Sequence, residues 1–238
     1  MANKLYDENS VKAVADAIRA KNGSTEKYKL ADMPLAIENI ESSAEGKCWD
    51  YVASFRISEY ADLDIADVEI PKYCQSLYRS FSGTYHVRPK YKTVIVSKPD
   101  ESEYPLTDLH EMFYYNTTTR ELYLNIDTSK VTNFSNVLEV NYTGLNHIYG
   151  EIDCSSSSQS INGFNGNNLV TITFKPETIK KTIYFRAASN LSDESVQSII
   201  NGLAPTETAL TLSLNATIKD KLTEEQIATI TQKGWTLA

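Results

Sequence analysis

Three acidic side chains lie close enough in the sequence to raise a question of chemistry. Glu151 and Asp153 are two residues apart in a strand-like stretch, and Asp127 opens an earlier turn. Carboxylates of this kind can divide the acid and the nucleophile or base roles across a glycosidic bond, given one raised pKa and a fixed separation. The same spacing equally describes a solvated acidic face. Ser155–Ser158 is a run of four serines without a GxSxG frame, and it reads as a loop. Gly163-Phe164-Asn165-Gly166-Asn167-Asn168 is not a phosphate-binding fingerprint. His86, His110 and His147 are scattered, and Cys48, Cys74 and Cys154 are odd in number with no CxxC. Reduced thiols, no metal site, no cofactor and no catalytic residue are expected.

A second set of residues suits binding. The chain holds 15 Tyr against 2 Trp and 7 Phe, and Tyr supplies a large amphipathic contact area at low entropic cost. Strand alternation would line up Tyr123, Asn125, Tyr149, Glu151, Thr171, Thr173, Tyr184 and Arg186 as an outward ladder. Tyr faces can stack on sugar rings, and Asn and Glu can exchange hydrogen bonds with hydroxyls. Exposed strands also favour Tyr and Thr for their β-propensity alone, so the ladder carries both readings.

The elements that must position this ladder recur along the chain. Period-two segments occur at 67–70, 93–96, 121–126, 147–152, 170–174, 182–185 and 210–214. Their matching apolar positions, Val68, Val94, Leu122, Ile148, Ile172, Ile183 and Leu210, are separated by steps of 26, 28, 26, 24, 11 and 27. Steps of 24–28 fall in the leucine-rich-repeat range, and the step of 11 marks a shortened unit or a connecting segment. Short helical or turn patterns fill the intervals at 73–81, 106–113 and 131–138. The predicted fold is α+β and repetitive: a leucine-rich-repeat-like solenoid of short parallel strands and short helices, each unit burying its apolar face only against its neighbours. Residues 191–238 read as a cap, with helices opened by Ser192 and Thr223, strand 210–214, Gly234 as a helix stop and a last strand at 235–237.

Residues 1–44 read as a separate helical module. One helix spans 9–21, with Val11, Val14, Ala15 and Ile18 as its stripe, and a second runs from Asp32 to Ile40 with Pro34 in its first turn. Two short helices cannot bury their stripes alone, so attachment or oligomerisation is the expected role. Residues 42–46 look like a linker into the repeat domain at 45–238.

Composition narrows the function. The chain carries 23 Lys+Arg against 31 Asp+Glu, a net charge of −8, without a basic stripe, which argues against nucleic acid and anionic membranes as partners. No apolar run approaches the ~20 residues of a membrane span, and Met1–Leu5 does not open a signal peptide. The six N-x-S/T sequons, at Asn22, Asn116, Asn133, Asn141, Asn190 and Asn215, reflect Asn and Thr richness.

Three stretches carry a family resemblance. Ala15-Asp16-Ala17-Ile18-Arg19-Ala20-Lys21-Asn22-Gly23-Ser24-Thr25-Glu26, followed by Met33-Pro34-Leu35-Ala36-Ile37, resembles an N-terminal module of tail and fibre-like proteins from phages and prophages of Gram-positive bacteria. Asp127-Thr128-Ser129-Lys130-Val131-Thr132-Asn133-Phe134-Ser135-Asn136 is similar to the repeat of BspA-like leucine-rich-repeat proteins, and Leu109-His110-Glu111-Met112-Phe113-Tyr114 fits the same slot. Leu191-Ser192-Asp193-Glu194-Ser195 with Ile199-Ile200, then Leu222-Thr223-Glu224-Glu225-Gln226 and Lys233-Gly234-Trp235-Thr236-Leu237-Ala238, is similar to the C-terminus of the same phage proteins.

The resemblance implies a virion structural protein of tail, baseplate or fibre type, made in the host cytoplasm and located in the virion. Its expected partners are other virion proteins through residues 1–44 and a host-surface glycan or protein through the repeats. A homo-oligomer is expected, the trimer being the form common among fibre-like proteins. Two alternatives stay open: a head-fibre, decoration or assembly protein without a receptor role, and a polysaccharide-degrading tail enzyme.

Overall fold

The computed structural model describes residues 12, 14–19, 65–70, 74–82, 92–98, 102–138 and 144–238. The chain divides into two compact units, Met1–Glu45 and Gly46–Ala238. In the first unit, residues 14–19 are helical (α1). Ala15 and Ile18 are buried, whereas Val14, assigned by its spacing to the same stripe, is 47% exposed. Asp16 bonds to Lys12 at 2.7 Å and also to Arg19, and these two hydrogen bonds hold its carboxyl below the usual range. The helix expected at 32–40, the linker at 42–46 and Cys48 lie outside the described residues.

Five parallel strands open the second unit: β1 (Ile65–Glu69), β2 (Thr93–Ser97), β3 (Glu121–Asn125), β4 (His147–Ile152) and β5 (Thr171–Phe174). Their order in the sheet is their order in the chain. The register runs from Ile65 to Thr93, Glu121, His147 and Thr171, so steps of 28, 28, 26 and 24 residues separate equivalent positions. Parallel neighbours need a long return connection, and these intervals supply it. Every second residue points inward: Val94, Val96, Leu122, Leu124, Ile148, Ile152, Ile172 and Phe174 are all buried.

The return connections build a second parallel stack. Ser76 bridges to Asp108, Asp108 to Asn133, and Ile161 to Ile183. The Ser158 N–H donates to the Thr132 carbonyl at 3.0 Å, carrying the stack on between these bridges. The stack continues as β6 (Ile183–Phe185), β7 (Leu210–Leu214) and β8 (Trp235–Leu237). The step of 11 between Ile172 and Ile183 is thereby resolved, because the two residues sit in different sheets.

Of the two readings open for the stretches 73–81, 106–113 and 131–138, helix or turn, the described residues form turns. Ser76 Oγ, Asp108 Oδ1 and Asn133 Oδ1 accept the N–H two residues on, at 3.1, 3.0 and 3.1 Å. Three residues after each acceptor the backbone becomes left-handed, at Arg79 (φ 53°), Glu111 (φ 53°) and Asn136 (φ 49°). Short polar side chains compete for the backbone in this way and divert the chain from helix. The apolar residues of these turns still reach the core. Phe81 and Phe113 stack at 5.2 Å, and Phe134, Phe164, Phe174 and Phe185 form a chain of ring contacts.

Towards the C-terminus, helices replace strands on the first stack. Helix α2 (Asp193–Gly202) lies along β5, α3 (Ala216–Lys219) is a single turn, and α4 (Glu224–Gln232) touches α2 through Gln226 and Gln197. Ser192 caps α2, and Thr223 with Gln226 makes a reciprocal capping box on α4. The described part is thus a mixed α/β fold with parallel sheets and a few short helices. Among the described residues no helix is long and apolar enough to cross a membrane.

Candidate functional site

The outward face of the five-stranded sheet is ordered in rows by the register. Ile65, Thr93, Glu121, His147 and Thr171 make one row, and Asp67, Ile95, Tyr123 and Tyr149 make the next. Glu69, Ser97 and Asn125 start a third, and Glu151 pairs with Thr173 beyond it. Asn125, Glu151 and Thr173 are exposed, and Tyr123, Tyr149 and Thr171 are half-buried.

Tyr123 and Tyr149 are register partners whose rings stack at 4.6 Å and 28°. His147 lies nearly parallel to Tyr149 at 5.9 Å and 11°, and its Nδ1 is 2.9 Å from Thr171 Oγ1. Such offset pairs contribute about 0.5–1.5 kcal/mol beyond burial. The ring faces turned toward each other are therefore occupied. What the pair offers to solvent is ring edge and hydroxyl rather than a bare stacking platform. Burial, then the nearby Glu121 and Tyr123, push the Tyr149 hydroxyl above the usual phenol range, so it stays a proton donor.

The row ends at Tyr149 because β4 bulges. His147 pairs with Thr171 but Glu151 pairs with Thr173, so β4 carries more residues than β5 over this interval. Gly150 supplies the required conformation at φ 105°, with its backbone close against the Leu124 carbonyl. Bulges of this kind re-aim the residue that follows, and the residue that follows is Glu151.

Tyr184 and Arg186 are not on this sheet. Tyr184 lies on β6 and Arg186 just after it, in the second stack, so the single ladder read from the sequence is divided in two. Arg186 lies over the Tyr184 ring at 4.9 Å and donates from Nε to Ser213 Oγ at 2.8 Å. Ser213 is buried, with its hydroxyl taken by this bond.

The carboxylates weighed for catalysis separate in role. Asp153 is buried and holds the next turn: Oδ1 accepts the Ser155 N–H at 2.9 Å, and Lys175 Nζ is 3.2 Å from Oδ2. Burial opposes its ionisation, but the Ser155 hydrogen bonds and Lys175 outweigh it, so its carboxyl lies below the usual range. A glycosidic general acid needs the reverse shift. Asp127 holds an equivalent turn, accepting the Ser129 N–H at 2.8 Å. Glu151 alone of the three stands on the outward face. Among the described residues no group of His, Cys, Asp or Glu is placed to hold a metal ion.

Sequence reasoning passed over Thr93, Glu121 and His147, which share the outward face, although the alternation that selected Tyr123 also selects Glu121. It also passed over a cluster on the second stack. There Arg79 pairs with Glu111 and lies over both Tyr78 (5.1 Å) and Tyr114 (4.9 Å), while Tyr78 stacks on His110 at 5.0 Å. The sequon residues have structural work instead: buried Asn116 donates to the Phe81 carbonyl at 2.9 Å, and Asn215 caps α3. Comparison with known proteins finds no matching family model, no matching curated protein and no matching solved structure.

Proposed function

We propose that this chain is a virion structural protein of a phage or prophage, of tail, baseplate or fibre type, that binds a component of the host surface. Its stacked turns form a leucine-rich-repeat-like solenoid, residues 1–44 attach it to other virion proteins or to copies of itself, and the outward sheet face meets the ligand. The motif resemblances at both ends and at Asp127–Asn136 support the virion assignment. The observation that carries the binding role is the in-register outward face, with the Tyr123–Tyr149 pair at its centre and polar residues on either side.

Retention of the full chain on cell envelopes from a panel of Gram-positive bacteria tests it. The wild type is retained by at least one envelope, and Tyr123→Ala/Tyr149→Ala loses most of that retention while keeping the wild-type circular dichroism. Absence of retention on every envelope, or equal retention of the variant, overturns the receptor role. One observation favours the alternative of a head-fibre, decoration or assembly protein: Tyr123 and Tyr149 spend their facing surfaces on each other. In that case the double variant lowers stability and impairs particle incorporation, and cell binding is absent in wild type and variant alike.

A further inference from the structure

The first two described turns of the second stack carry Arg79 and Glu111 at matching left-handed positions, where the third turn carries Asn136. Asn adopts this backbone at less cost than Arg or Glu. The costlier residues are offset by what they build between the turns. Arg79 Nε donates to Glu111 Oε2, and the guanidinium carbon lies over the rings of Tyr78 and Tyr114 at 5.1 and 4.9 Å. Glu111 is 13% exposed and Arg79 44%, so the carboxylate is spent inside the pair while the guanidinium faces out. Nη1 and Nη2 of Arg79 donate to nothing among the described residues. The other described arginines are placed differently. Arg120 spends Nη1 on the Thr117 and Gly144 carbonyls at 3.0 and 2.8 Å, Arg19 pairs with Asp16, and Arg186 is held by one ring and a serine. A half-buried aromatic rim surrounds Arg79: Tyr78 stacks on His110 at 5.0 Å, and Tyr114 meets Tyr115 edge-on at 4.4 Å. A guanidinium fixed through Nε presents its two remaining nitrogens as a fork that fits the paired oxygens of a carboxylate, with little freedom left to lose on binding.

We propose that this cluster docks an acidic segment of a partner protein, one Asp or Glu carboxylate accepting from Nη1 and Nη2 of Arg79 and its neighbours packing on Tyr78, His110, Tyr114 and Tyr115. The site lies on the turns of the second stack and is independent of host binding by the outward sheet face. Tyr and Arg set together are the residues that anchor protein interfaces. One fork holds a small anion weakly, whereas a protein segment adds contact area over the four rings. Glu111 balances the charge of Arg79, so a monoanionic carboxylate is better matched than a dianion. Among segments of similar shape, an acidic one gains the charge-assisted pair, an amide in its place does not, and a basic one is repelled by Arg79.

NMR titration of the full chain with the peptide acetyl-Gly-Tyr-Glu-Leu-Gly-amide, and with the same peptide carrying Gln for Glu, tests the proposal. The Glu peptide shifts the guanidinium resonances of Arg79 and the ring resonances of Tyr78 and Tyr114 saturably, and the Gln peptide binds about tenfold more weakly. Arg79→Lys keeps the charge and loses the fork; it weakens binding of the Glu peptide about tenfold, while the equally exposed change Arg120→Lys leaves it within about twofold. The comparison of the two peptides is made on the wild type, so it stands whatever either variant does to folding. The proposal is overturned by equal binding of the two peptides, or by no saturable shift with the Glu peptide up to about 10 mM. It is equally overturned by wild-type binding in Arg79→Lys, which would confine the pair of Arg79 and Glu111 to holding the turns together, or by equal loss in Arg120→Lys, which would mean attraction to positive charge at large.

Discussion

The Ile172 backbone N–H donates to the Ser195 hydroxyl at 3.0 Å, so a helix side chain sits where a sixth strand would have placed a carbonyl. The Phe174 N–H repeats the arrangement with Ser198 Oγ at 2.9 Å. An exposed parallel edge is a template for further pairing, and covering it with a helix removes that liability. Both serines sit on the face of α2 turned to β5, and Ser195 is buried.

Ser195→Ala would strip the Ile172 N–H of its partner in a buried setting. The expected loss is about 1–3 kcal/mol, read as a lower urea midpoint. Faster amide exchange at Ile172, with Leu122 unaffected, would place the lesion at the edge rather than throughout the core.

Ser80 offers the opposite case. Its hydroxyl is fully buried and has no hydrogen-bond partner among the described residues. The equivalent position in the next turn, counted from Asp108, is the buried Met112. Ser80→Ala removes a dehydrated hydroxyl at nearly constant volume, and a stabilisation of up to about 1 kcal/mol is expected by urea denaturation. A drop in the midpoint would show that the hydroxyl is satisfied in solution.

At Gly150 any side chain meets two obstacles, the left-handed φ and the Leu124 carbonyl. Gly150→Ala should cost about 1–3 kcal/mol. Because the bulge also aims Glu151 on the outward face, envelope retention should weaken even where the variant remains folded, which the retention assay checks separately from the midpoint.

The pair of Asp153 and Lys175 sets a pH window. Asp153 has a lowered folded pKa, so its contribution is complete above the unfolded value near 3.8 and disappears as pH falls through the folded value. Lys175 is raised, chiefly by its hydrogen bond to Asp153, so its share is complete below 10.5 and is lost as pH climbs through the folded value. The urea midpoint of Asp153→Asn should therefore fall below the wild type at pH 7, and the gap should narrow toward pH 3. A constant gap would assign the effect to the turn hydrogen bonds alone.

Cys74 and Cys154 are buried and reduced, and burial pushes the Cys154 thiol well up. Neither should react with a thiol reagent in the native state, and both should react once urea unfolds the chain. Native labelling at either would contradict the core described above.

The strands were the most legible part of the chain, because alternation such as that of Thr93–Ser97 and Glu121–Asn125 is a local signal. The turns were not. The stretches 106–113 and 131–138 space their apolar residues much as a helix would, and only the hydrogen bonds of Asp108 and Asn133 to their own backbone decide against it. The division of the ladder between two sheets was hidden for a different reason. Tyr184 alternates as well as Tyr123 does, and which stack a strand joins depends on contacts such as Ile161 with Ile183 that no local pattern records. For the candidate surface, residue types were readable, but the bulge at Gly150 arises from packing between elements distant in sequence.

The helix seated on β5 has one more consequence. Because the hydrogen bonds of α2 to the edge of β5 are made to backbone N–H groups, and its apolar residues pack on the last strands of the core, its seat does not depend on how many strands lie upstream. Whole units of 24–28 residues could be gained or lost before Thr171 while the end-piece stayed intact, so the reach of the outward face can change by copying or deleting units without any redesign of its terminus.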